Sequence, residues 1–236
     1  MPVGSTCFIT SNRDEKQIRK PAQAPQAYTH NASQITYPKD ADAGGTWIAV
    51  KDNGDAAVLL NGAFKKHIAV PPYSKSRGLI FLDIFSGEVP FNAFCQISLQ
   101  NIEPFTLVLF TGGNLQECRW DGNRKYSKAL DSGIPHIWSS CTLYDEEVIK
   151  RRVLWFSHWL AENPCPCQWD IIDFHRFGGE GDTHNDLRMN RDGMMLTVSI
   201  TSIALREDAA VMQYLDLQNG QCYSNQTSVL SNLAII

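Results

Sequence analysis

The sequence predicts an α+β domain built on antiparallel sheets, and three local patterns carry that expectation. The first is a hairpin. Residues 46–50 and 56–60 are β-branched and apolar, and they flank Asn53-Gly54, a pair that accepts the positive φ angles of a tight turn. The second lies in the last third, where residues 196–205 and 210–217 run apolar or alternate around Arg206-Glu207-Asp208. The third is one strong helix over residues 145–162. There Ile149, Val153, Phe156 and Leu160 recur at helical spacing, and Val148, Trp155 and Trp159 widen the stripe. Strands joined mainly by hairpins imply antiparallel sheets, with the few helices packed outside them.

The remaining elements follow in chain order. Residues 6–10 read as a short strand ending at the polar run Asn12-Arg13-Asp14-Glu15. Residues 21–27, rich in Pro, Gln and Ala, read as an extended loop. Residues 77–85 suit a helix, and residues 105–110 suit a strand bounded by Pro104 and Gly112-Gly113. Residues 115–120 return antiparallel, and residues 136–140 read as another short strand. The acidic start of the long helix suits the helix dipole, and Pro164 ends it. Asn219-Gly220 turns the chain toward residues 221–223, and residues 233–236 read as an edge strand or docked tail.

Composition bounds the function. A chain of 236 residues with 43% hydrophobic and 19% charged residues supplies one continuous core, so residues 1–236 are expected to form a single domain. The net charge of −4 and pI near 5.8 argue against a nucleic-acid partner. The densest basic run, Lys150-Arg151-Arg152, sits beside Asp145-Glu146-Glu147 and reads as a solvated helix face. No run approaches the ~18 apolar residues of a membrane span. The first residues lack a secretory pattern, and seven scattered cysteines suit free thiols in a reducing compartment, so the expected location is cytoplasmic.

Candidate chemistry concentrates at residues 11–15. Side chains alternate along an extended chain, so Asn12 and Asp14 share one side, and Arg13 and Glu15 the other. One face thus presents an amide and a carboxylate, and the plain alternative is a polar turn that caps its own backbone. His175, Asp182, His184 and Asp186 surround a glycine-rich segment and are ligand types for a divalent metal. Their spacing matches no established metal signature, so neither a metal nor a cofactor is expected. Cys165-Pro166-Cys167 lacks the two-residue gap of redox and zinc motifs. Trp47, Trp120, Trp138, Trp155, Trp159 and Trp169 read as core and sheet packing, with a ligand pocket as the other possibility.

Ser11-Asn12-Arg13-Asp14-Glu15, then Gly44-Gly45-Thr46-Trp47, Asn53-Gly54 and Leu60-Asn61-Gly62, resemble in order and spacing the NRDE family, relatives of the transport and Golgi organisation protein 2. Residues 136–140 leading into the long helix, and residues 197–201, resemble the later blocks of that family. The resemblance implies an N-terminal-nucleophile-hydrolase-like fold, a four-layer αββα sandwich. In active members of that superfamily the first mature residue, often Cys, attacks an amide, and its own α-amine, with a pKa of ~7.7–8, takes the proton. The same resemblance implies that Asn12, Arg13 and Asp14 order the site and that Asn61 donates to the oxyanion.

Two departures from the family pattern bear on activity. Family chains begin Met-Cys on a strand before the motif strand; here Met1-Pro2 comes first and Cys7 lies within the motif strand, where it reads as a packed thiol. Ser140 stands where the family has Asn. The expectation is that the first strand is missing and that the reading frame supplies a Met-Cys start about five to ten residues upstream. Two function classes stay open. One is an amidohydrolase acting on a small C–N amide through that Cys. The other is a non-catalytic binding or carrier protein for a small hydrophobic ligand, such as haem or an acyl conjugate. Either way the partner is a small molecule.

Overall fold

The computed structural model describes residues 1–31 and 33–229. The tail expected at residues 233–236 lies outside them. Two antiparallel sheets stack face to face. The first sheet runs β1 (Pro2–Val3), β2 (Thr6–Lys16), β11 (Met195–Leu205), β12 (Ala209–Asp216) and β13 (Cys222–Ser228), with β10 (Asn190–Arg191) attached to β11. The second runs in chain order through β3 (Gln23–His30), β4 (Ser33–Lys39), β5 (Ile48–Lys51), β6 (Ala56–Asn61), β7 (Phe105–Thr111), β8 (Asn114–Trp120) and β9 (Lys125–Leu130). Helices α1 (Arg77–Phe85) and α2 (Pro90–Gln96) cover the second sheet, and α3 (Glu146–Glu162) and α4 (Gln168–Phe177) lie on the side of the first.

Alternation along the strands builds this order. Between the sheets Ile48, Val50, Ala56 and Val58 meet Ile203, Leu205, Ala210 and Met212. The opposite faces of β5 and β6 send Ala49 and Ala57 against Phe81, Ile84 and Phe85 of α1. Both faces of this hairpin are therefore covered, which is why residues 48–50 and 56–58 read as unbroken apolar runs. Gly54, at φ 84°, makes the turn that the Asn53-Gly54 pair predicts.

Four expectations are corrected. Residues 21–27 were expected as a loop, but β3 forms there as an edge strand. Its Pro25 is tolerated because the ladder slips between Gln23 and Gln26, a bulge where no N–H is required. Residues 136–140 form no strand and run as irregular chain along a cavity. The polar run Asn12–Glu15 does not follow its strand but lies inside β2, which continues to Lys16. The stripe on α3 is only partly used: Val148 and Arg152 are buried, whereas Val153 is 43% and Leu154 56% exposed. No helix among the described residues is long and apolar enough to cross a membrane.

Candidate functional site

β2 sets the geometry. On its outer edge, β1 pairs only with Thr6 and Cys7, and Phe8 exchanges backbone bonds with Met1. From Ile9 to Lys16 that edge has no strand partner among the described residues, while the inner edge pairs with β11 throughout. Backbone groups alternate between edges along an antiparallel strand, so those of Thr10, Asn12 and Asp14 point outward with those of Phe8. A cavity of about 370 Å³ runs beside this edge. Asn12, Arg13, Asp14 and Asn61 all line it, together with Trp47, Trp138, Ser140, Tyr144, Arg152, Phe156 and His175.

Arg13 and Glu15 face the gap between the sheets. Arg13 is 7% exposed, donates to Asp40 Oδ2 at 2.6 Å, and lies 4.8 Å from the Trp47 ring centre. Asp40 follows β4, so this pair ties one sheet to the other. Arg19 also donates to Asp40, at 2.8 and 3.0 Å. Burial pushes the Asp40 carboxyl up, but the Ala43 N–H, Arg13 and Arg19 outweigh it and hold the group below its ordinary value. Arg13 is thus a fixed cation.

Asn12 and Asp14 face the helices. Asn12 Nδ2 donates to Leu187 O at 2.7 Å, and its Oδ1 lies 2.8 Å from His175 Nδ1. Asp14 accepts from Thr197 Oγ1 at 2.6 Å and from the Tyr144 hydroxyl at 3.0 Å. Dense packing raises the Asp14 carboxyl above its ordinary value, against those two bonds and the charges of Arg152 and Arg191. The two-sided split read from the alternation is present, yet these side chains serve the tertiary structure rather than a local turn.

Asn61 reaches the cavity from the other sheet. Its hairpin does not pair with β2: β6 pairs with β5 and β7, and β2 with β1 and β11. The two motifs meet at the cavity across the sandwich instead. The Asn61 side chain is exposed and makes no hydrogen bond among the described residues, while its backbone carbonyl accepts from Ser140 Oγ at 2.8 Å. Two glycines allow close approaches near this wall. A Cβ on Gly45 would strike the Gly78 backbone at the start of α1, and one on Gly62, at φ 80°, would lie 2.6 Å from Cys141 Sγ.

The Arg152 expectation is corrected here. It is 5% exposed rather than solvated, donating to Asn185 O at 3.1 Å and Asp186 O at 2.6 Å, and lying 3.5 Å over the Tyr144 ring. The spacing carried a signal, since position 152 falls beside Val148 and Trp155 on the stripe, but the basic run Lys150-Arg151-Arg152 read as solvated. The four candidate metal-type side chains do not converge. His175 pairs with Asn12, Asp186 accepts the N–H groups of Glu180 and Gly181, and His184 faces Asp192 at 3.4 Å. Cys7 packs between the sheets. Trp120 is core, whereas Trp47 and Trp138 are cavity wall.

The two-sheet sandwich between helical layers, with its polar cluster at a strand edge, has an N-terminal-nucleophile-hydrolase-like fold. Among solved structures, two forms of the conjugated bile acid hydrolase from Clostridium perfringens are similar to this chain. A mutant form is 10% identical with a TM-score of 0.50, covering 97% of this chain and 89% of that one. A second variant is 8% identical with a TM-score of 0.48, covering 97% and 90%. Among curated proteins, none matches this sequence. The family profile described as Transport and Golgi organisation 2 matches residues 6–165, more than half of the chain, and the chain belongs to that family.

Proposed function

We propose that this protein hydrolyses a small C–N amide, with the nucleophilic thiol delivered on a strand that pairs with the outer edge of β2. The observation that carries the reading is that edge itself. Thr10, Asn12 and Asp14 present backbone groups along a cavity, and an extended segment is what satisfies such a row. The sparsely buried apolar stripe of α3 supports the same addition, since a further strand would give it a surface to cover.

The roles then follow from geometry. A Cys at the start of the added strand attacks the amide carbon while its own α-amine accepts the thiol proton; that proton passes to the amine as the C–N bond breaks, and water then hydrolyses the thioester to free the thiol. The tetrahedral oxyanion requires a donor that is not already engaged, and the free amide of Asn61 meets that requirement. Arg13, held by Asp40 and Trp47, is a fixed positive charge beside the attacking end. Asn12 and Asp14 brace β2 from the helix side through His175, Tyr144 and Thr197. Cys7, half-buried against the inter-sheet core and lining the same cavity, is not the nucleophile in this reading.

The test is amine release from a panel of N-acyl amines by the chain extended upstream to its Met-Cys start. Turnover that disappears when the added Cys becomes Ser supports the reading. Turnover unaffected by that change removes it. A chain that binds members of the panel without cleaving any would favour the alternative, a carrier for a small hydrophobic ligand.

A further inference from the structure

The helix-facing wall of the cavity carries chemistry that amide cleavage leaves unused. Asn12 Nδ2 donates to Leu187 O at 2.7 Å and reaches His175 O at 3.4 Å, which fixes the orientation of the amide. Its oxygen therefore faces His175 Nδ1 at 2.8 Å. An amide oxygen only accepts, so Nδ1 carries the imidazole proton and Nε2 is left with a lone pair. Nε2 has no partner among the described residues, and His175 lines the cavity. Burial, with the nearby charge of Arg152, lowers His175 to about 4, so the ring is neutral around pH 7.

The surrounding polar groups are already engaged. Asp14 accepts from Thr197 and Tyr144, and Arg152 donates to the carbonyls of Asn185 and Asp186. Phe156 and Phe174 make the rest of this wall apolar, their ring centres 5.7 Å apart. One lone pair in an aromatic lobe is a selective feature, because a ligand without a donor leaves it unpaired.

We infer that His175 Nε2 is a ligand-binding acceptor, and that this lobe selects molecules placing a neutral hydroxyl or amide N–H on an apolar body. A carboxylate offers only acceptors and leaves the lone pair without a donor. A bare hydrocarbon fills the lobe but strands Nε2. The role concerns binding and is read on the 236-residue chain, in which the outer edge of β2 has no strand partner from Ile9 to Lys16 among the described residues.

Phenol and anisole are suitable probes, since they share an aromatic body and differ in the donor. The full 236-residue chain, with ¹⁵N-labelled histidine, is titrated with each and followed by NMR. The free protein should show the Nδ1-protonated form of His175. Phenol should bind about tenfold more tightly than anisole and shift the His175 Nε2 resonance. In His175→Phe that preference should vanish. An Nε2-protonated ring in the free protein overturns the proposal, as does equal affinity for the two probes, a preference that survives the substitution, or no phenol binding at millimolar concentration. The tautomer and the Nε2 shift are read on the unmutated protein, so the outcome stands even if the variant does not fold. A chain inactive on amides that keeps the phenol preference separates this inference from the proposed reaction.

Discussion

Arg13 on β2 and Asp40 after β4 meet at 2.6 Å, a charged bond joining the two sheets at the edge of the cavity. Arg13 is 7% and Asp40 14% exposed, so little solvent screens the pair, and removing one partner leaves the other charge enclosed. Asp40→Ala should destabilise the protein by about 3 kcal/mol. Asp40→Asn, which keeps an oxygen for the Ala43 N–H, should lose less. The check is urea denaturation of the three proteins. Equal midpoints would mean that the pair contributes nothing.

Gly44 and Gly45 should respond differently to alanine. Gly44 has φ +72° and open space, its nearest neighbour being Lys39 Cε at 3.9 Å, so its cost is backbone strain of about 1 kcal/mol. A Cβ on Gly45 would meet the Gly78 backbone and lie 2.7 Å from Leu79 N, where no side chain can move aside. Gly45→Ala should cost roughly 1–3 kcal/mol and displace α1. Thermal unfolding ranks the two variants. A Gly45→Ala protein as stable as the parent would contradict the close approach.

Stability should fall as the pH drops from about 6.5 to about 4, on account of His175. Its folded value is lowered by burial and by Arg152, while the unfolded chain titrates near ~6.5, so the unfolded state binds the proton first. The contribution is complete above the unfolded value and is lost as the pH falls through the folded one. Asp14, Tyr144 and Arg152 surround the same lobe, and the raised Asp14 carboxyl acts in the opposite sense. On the order of 2–3 kcal/mol should vanish across this window. Denaturation curves for the parent and His175→Gln should converge toward pH 4, and parallel curves would contradict the assignment.

Native alkylation should sort the thiols. Cys95, Cys165, Cys167 and Cys222 are exposed and should react readily. Cys118 is buried, and burial pushes its thiol up to about 12, so it should remain unmodified until the protein unfolds. Peptide mapping after iodoacetamide treatment reads this directly, and early loss of Cys118 would contradict the packing around it.

The sequence revealed local chemistry better than tertiary context. The hairpin at Asn53-Gly54 and the two faces of residues 12–15 were legible, because turn φ angles and strand alternation are properties of neighbouring residues. β3 was not, since Pro25 weakens a strand pattern, and only an edge position with a bulge rescues it. α4 went unread because its ten residues sit between Cys165-Pro166-Cys167 and Gly178, which resemble loop on both sides. His175 was picked out for metal-type chemistry, and its bond to Asn12 spans 163 residues that no spacing rule connects. Arg152 was misread for the same kind of reason: its partners are backbone carbonyls, which leave no trace in sequence.

The central claim, that the outer edge of β2 takes a strand bearing the nucleophile, is tested most directly by the intact mass of the protein isolated from its natural source, before and after treatment with a thiol-directed alkylator. The account predicts an N-terminal Cys about five to ten residues upstream of Met1, alkylated at its thiol in the folded protein. A natural protein whose mass begins at Met1 or Pro2 would contradict it.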